Sequence, residues 1–170
     1  EPAQQAPRAR LIQSSGADAR VAIAFHAPPA AADDVEALEL FTATLGGVDD
    51  ELGEVRARHH ALRDGGLIVV DALAAPGREA QAARALRQRV TRAPAAMSEA
   101  RLEAARAALA AERFFQGETV HGVAHDLGWR WSSGGASAVP TASLDRSRVL
   151  GAAARWVQLA VATTVAVTPR

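Results

Sequence analysis

Two histidines four residues apart, His121 and His125 in the run HGVAH, have the spacing that could grip a metal ion. On a helix, positions i and i+4 share a face, and both HExxH and HxxEH sites hold Zn²⁺ in this way. Such chemistry also needs a carboxylate to take the proton of the metal-bound water. Here the intervening residues are Gly122, Val123 and Ala124, so neither pattern has its glutamate, and no spacing suggests a third ligand. A structural pair is the simpler reading, with a metal site on His121 and His125 as the alternative. His59 and His60 are adjacent, and neighbours on a helix or strand point apart; a solvated basic turn accounts for them. His26 alternates with Ala22 and Ala24 along one side of a predicted strand, as a surface or cavity-wall residue would.

Other chemistries find less support. Ser14-Ser15 and Ser132-Ser133 lack the GxSxG elbow that activates a serine. Gly46-Gly47 and Gly134-Gly135 are isolated pairs, without a GxGxxG or Walker-type loop. With no cysteine in the 170 residues, thiolate ligands, nucleophiles and disulfides are excluded. Asp33-Asp34 and Asp49-Asp50 stand at predicted helix starts, where the macrodipole favours negative charge. Basic and acidic residues balance at 19 each, which gives no electrostatic case for nucleic acid or an anionic membrane. No run approaches the roughly 20 apolar residues of a membrane span. By residue chemistry alone, the chain lacks an active site.

The elements that would position these residues follow from period and punctuation. Residues 1–9 (EPAQQAPRA) read as a linker or disordered tail, and residues 10–170 as one domain. In RVAIAFHA, Val21, Ile23 and Phe25 alternate with small residues, which is a strand stopped by Pro28-Pro29. Asp33 and Glu36 have capping-box spacing ahead of a helix carrying Val35, Leu38, Thr42 and Leu45, closed by Gly46-Gly47. A short acidic-started helix is predicted next, with Leu52 and Val55 inward. Leu67–Ala74 is the second strand. Pro76-Gly77 opens a helix with Ala83, Leu86 and Val90, ended by Pro94; Ser98 caps another, stapled by Met97 and Leu102. A further helix follows Gly117 with Val120, Val123, Leu127 and Trp131 inward. SSGGASAVP is a loop, Thr141–Trp156 a helix, and Leu159–Val167 a long closing strand. On that strand Leu159, Val161, Thr163, Val165 and Val167 form a bulky face and the alternating positions a small one. Either the bulky face fills the core and the small face lines a surface or cavity, or, as the equal alternative, helices pack closely over the small alanine face. The order β-α-α-β-α-α-α-α-β implies an α+β fold: a mixed, mainly antiparallel sheet with helices packed on one face.

In order and spacing, these segments resemble the insulinase/pitrilysin and mitochondrial processing peptidase family of zinc metallopeptidases. The first stretch matches at Pro28, Asp34, Ala37, Leu38, Leu45, Gly46, Gly47, Leu52, Val55 and Arg56. MSEARLEAARAALAAERFF matches at Glu99, Leu102, Ala105, Arg106 and Leu109, and the next helix at Ala124 and Leu127. SLDRSRVLGAAARWV and VAVTPR resemble the closing helix and strand. The resemblance covers residues 10–170 and implies one of two α/β halves that close around a peptide. In that family one half binds zinc through HxxEH, on its first helix, and a distant Glu; the other usually lacks the motif. The corresponding helix here, Asp33–Leu45, contains no His, so the chain resembles the inactive half. Zinc is then expected only in the catalytic half, which is the expected partner, in the same chain or another. Arg56, His26, Ala22 and Ala24 are the candidates for the wall of a substrate chamber. The family's helix following the position of Arg56 usually supplies a Tyr; this chain has none. A stand-alone structural subunit of the same fold is the alternative. Bacterial members are often exported, so the expected location is the periplasm or cell envelope.

Overall fold

The computed structural model describes residues 4–16, 18–133 and 144–170. Along the chain run β1 (Arg8–Ser14), β2 (Ala19–Ala27), α1 (Val35–Leu45), β3 (Gly47–Asp49), β4 (Gly53–Ala61) and β5 (Gly66–Ala74). Then come α2 (Glu79–Ala96), α3 (Glu99–Gly117), α4 (Val120–Ser133), α5 (Arg146–Trp156), a 3₁₀ turn at Leu159–Val161, and β6 (Thr163–Pro169). The six strands form one sheet in the order β1-β6-β2-β5-β4-β3. Every pairing is antiparallel except that of β1 with β6. The helices pack on one face, which is the expected α+β architecture.

Alternation builds the core. Val21, Ile23 and Phe25 on β2 lie opposite Ala72, Val70 and Ile68 on β5, all buried. Onto them pack Leu38, Phe41 and Leu45 of α1, Leu86 and Val90 of α2, and Leu102 of α3. Ser98 caps α3 by accepting the backbone N–H of Arg101 at 3.2 Å, and its flanking Met97 and Leu102 are both buried. Asp145 caps α5 through the N–H of Arg148 at 2.8 Å. Residues 134–140 of the predicted loop and 141–143 of the predicted helix lie outside the described residues; Ser132 and Ser133 belong to the end of α4.

Several expectations are corrected. The short helix predicted around Leu52 and Val55 is instead the β3–β4 hairpin. Asp49 Oδ1 accepts the N–H groups of Glu51 and Leu52, and Gly53 takes φ +67°, a turn that L side chains resist. Arg8 and Ala9 belong to β1 rather than to a tail, and Arg63 and Leu67 flank a tight β4–β5 connection. Pro94 lies inside α2, which continues to Ala96. The closing strand starts only at Thr163, and of the two readings of its faces it is close helix packing over the small residues that is observed. Ala166 and Thr164 look toward the helices, where α2 approaches closely enough for Arg87 to donate to Thr164 Oγ1 at 3.4 Å. Thr163, Val165 and Val167 lie on the open face, opposite Ala24, Ala22 and Arg20. On α4, Val120, Val123, Leu127 and Trp131 point outward and are 89, 41, 61 and 87% exposed. The cause is Gly122, which packs so tightly on the end of α3 that a Cβ there would stand 1.9 Å from the Gln116 carbonyl oxygen. That contact turns the apolar stripe away from the domain.

Candidate functional site

The α1–α3 seam brings two carboxylates of α1 against a cation of α3. Glu36 and Glu39 project from α1 at i and i+3, one above the other on the helix surface. Between them sits Arg113 of α3, whose guanidinium donates to Glu36 Oε2 at 2.8 Å and to Glu39 Oε2 at 2.6 Å. One fixed cation thus ties two carboxylates across two helices. Burial, then the neighbouring Glu36, pushes the Glu39 carboxyl above its ordinary value. Arg113 can neutralise this pair but cannot activate a water. The clamp braces α1 against α3.

At the same, N-terminal end of α1, Asp34 occupies the N-cap position but does not cap. Its carboxylate accepts two bonds from Arg155 at 3.0 and 2.6 Å and one from Trp156 Nε1 at 2.9 Å. The Arg155 hydrogen bond above all holds its pKa below the usual carboxylate value. The start of α1 is thereby tied to the end of α5, over a distance in sequence that no local pattern reveals.

Beside the clamp, β4, α1, α3 and α4 enclose an open cleft of about 590 Å³. His59 points into it from β4. Both of its ring nitrogens are shut off from water without a hydrogen-bond partner among the described residues. Burial, reinforced by His60, pushes its pKa down to about 4, so the ring is neutral at physiological pH. His125 lines the same cleft, whereas His121 does not, and both are exposed. Among the described residues, no group of three or more His, Asp or Glu is placed to hold a metal ion. His59 and His60 sit in a regular strand with opposite orientations, not in a turn.

The remaining candidates lie across the sheet from this seam. Ala22, Ala24 and His26 alternate with buried Val21, Ile23 and Phe25 and so face the open side. Arg56 shares that side from β4, and a single row of Cα partners joins Ala22 to Asp71 and Asp71 to Arg56. Asp71 is nearly buried there and receives Arg20 at 3.4 Å. Arg56 itself grips Glu54 with two bonds at 3.1 and 3.0 Å. His26 lies at the far end of the sheet, opposite Leu67 and in the row of His60. The sheet thus brings Ala22, Ala24 and Arg56 onto one surface, with His26 at its margin and His121 and His125 on the opposite, helical side. Sequence reasoning missed Arg113, placed Asp34 at a helix start without its Arg155 and Trp156 partners, and put His59 in a solvated turn; two carboxylates at i, i+3 with no nearby cation are a local hint of the first.

No protein-family profile matches the chain, and no curated protein matches it. Solved structures do. A protease from Helicobacter pylori superposes with a TM-score of 0.85 at 17% identity over 99% of this chain and 46% of its own. The peptidase M16 inactive domain from Pseudomonas fluorescens does so with 0.78 at 12% identity, over 98% and 44%. A candidate zinc protease from Bordetella pertussis Tohama I gives 0.77 at 18% identity, over 92% and 97%. This chain therefore has the fold of an M16-type peptidase half-domain, and it spans less than half the length of the first two of these chains.

Proposed function

We propose that this domain is the catalytically inactive half of a zinc metallopeptidase, packed against an HxxEH-bearing half so that the two enclose a peptide. The observation that carries the reading is the state of α1. On the shared fold, the helix that would present the zinc ligands presents Glu36 and Glu39, bound to Arg113 instead. Zinc belongs to the other half, where it would activate water for peptide hydrolysis. The open sheet face, with Arg56, Ala22, Ala24 and His26, forms one wall of the chamber.

The surface of α4 supports a companion. Val120, Leu127 and Trp131 of α4, and Phe114 and Phe115 at the end of α3, are large and exposed, and exposed apolar surface of this kind favours a protein interface. An envelope location belongs to the same reading.

Co-expression with the HxxEH-bearing half and size-exclusion chromatography test it. A stable one-to-one complex, and no peptidase activity from the 170-residue chain with or without added zinc, are the expected results. Zinc-dependent activity of this chain alone, lost in His125→Ala, would overturn the reading.

A further inference from the structure

The open face of the sheet is strongly polarised in charge, although the chain as a whole is neutral. Strand register puts Arg8 and Arg10 of β1, Arg20 of β2, and Arg56 and Arg58 of β4 on this side. Its carboxylates are Asp71, taken by Arg20, and Glu54, taken by Arg56. The side chains of Arg8, Arg10 and Arg58 make no hydrogen bond or ion pair among the described residues. Three guanidinium groups without a hydrogen bond or ion pair among the described residues therefore border a largely apolar sheet surface.

Their arrangement is regular. One row of Cα partners runs Arg10, Val165, Ala22, Asp71, Arg56, and the next runs Arg8, Thr163, Ala24, Val69, Arg58. Arginines close both ends of both rows, and the lowest side chains, Ala22 and Ala24, lie in the middle. Four strand spacings separate the arginine rails, about 19 Å. The trough between them accepts an α-helix, whose diameter with side chains is about 10–12 Å. Along each rail the two arginines are two residues apart, about 6.8 Å, close to the rise of about 6 Å between positions i and i+4 of a helix. An extended peptide presents its side chains up and down; a helix presents an apolar stripe downward and a charged flank on each side.

We propose that this face binds a helical substrate segment with acidic flanks, leucine-like side chains entering the Ala22/Ala24 trough and carboxylates meeting Arg8 and Arg10 on one side and Arg58 on the other. The proposal rests on reading the face as a chamber wall. Its test, however, needs only the 170-residue chain, whereas that reading is tested by association with the companion half.

The probe is a fluorescein-labelled peptide of about 18 residues, about 27 Å as a helix, with leucines at i, i+3, i+4 and i+7 and glutamates on both flanks; its lysine counterpart is the control. Anisotropy should show saturable binding of the glutamate peptide only. Affinity should weaken at least tenfold as salt rises from about 0.01 M to about 1 M, where the Debye length shrinks from about 30 Å to about 3 Å. R10E/R58E should weaken it by about tenfold or more, from two reversed exposed contacts. Ala24→Glu, which fills the trough without touching the rails, should do the same. Binding of the lysine peptide equally well, or unchanged affinity in both variants, would overturn the proposal. So would displacement of the peptide by the companion half, or self-association abolished by R10E/R58E, since either would give the face to another occupant.

Discussion

Replacing Arg113 by Met removes the guanidinium from the α1–α3 clamp and keeps much of the apolar stem. Glu39, already raised in pKa by burial and by Glu36, then faces a like charge with no cation between. Breaking a fully buried pair costs about 3–5 kcal/mol, and an exposed pair is worth about 0.2–1 kcal/mol. The clamp lies between these limits, since the side chains of Arg113, Glu36 and Glu39 are 37, 12 and 31% exposed. Discounted for solvent screening, the loss at pH 7 is about 2 kcal/mol, or about 4–8 °C in Tm for a domain of this size. The pH dependence gives the sharper check. A carboxyl whose folded pKa lies above its unfolded value holds its proton more tightly when folded. Its contribution is therefore most favourable below the unfolded value, about 4.3, and is lost as pH rises through the folded value. R113M moves that folded value higher, so its deficit should be small near pH 4 and grow to full size above neutrality. Thermal unfolding followed by circular dichroism from pH 4 to pH 8 reads this, and R113M/E39Q should recover at least half of the loss. A deficit that does not change with pH, or that E39Q leaves untouched, refutes the clamp as the source of the stability.

His59 titrates in the opposite sense. Its folded pKa, about 4, is below the unfolded value of about 6.5, so stability is full above that value and is lost as pH falls through the interval, by about 1–3 kcal/mol allowing for partial exposure. His59→Leu should abolish that slope and leave stability at pH 7 equal or about 1 kcal/mol higher, since two unpartnered nitrogens disappear; urea unfolding at several pH values checks it. Gly66→Ala should cost about 2–4 kcal/mol in the same assay, because a Cβ would lie 2.8 Å from the carbonyl oxygens of both His60 and Pro28. Gly122→Ala should loosen α4 above all, seen as faster amide exchange over residues 120–133 with little change in the global midpoint, because among the described residues α4 packs chiefly on α3.

The elements that bury one face and expose the other announce themselves by period, and β2, β5, α2 and α3 were legible for that reason. β4 hid its alternation: its inward residues are Val55, Ala57 and His59, and its outward ones are Arg56, Arg58 and His60, a contrast too weak to separate from a charged helix. β1 is exposed on both faces at the sheet edge and carries no pattern. With α4 the period gave the correct helix and the wrong orientation, because an apolar stripe facing outward repeats at the same interval as one facing the core. The bulky and small sides of β6 were recognised, but which side receives a helix depends on how closely α2 can approach. Arg113 meets its two glutamates across more than seventy residues, and nothing local in the sequence encodes that meeting.

The parallel pairing of β1 with β6 has a consequence for how the chain is made. Arg8 lies opposite Thr163 and Ser14 opposite Pro169, so β1 cannot find its neighbour until the distant β6 has been made. Until then the edge of β2 that will receive β6 is open, a template for any stray strand, while β2, β5 and β4 can already pair. Closure of the sheet is a late, long-range event with a high entropic cost. Among the described strands β1 pairs with β6 alone, so loss of β6 would release β1 with it.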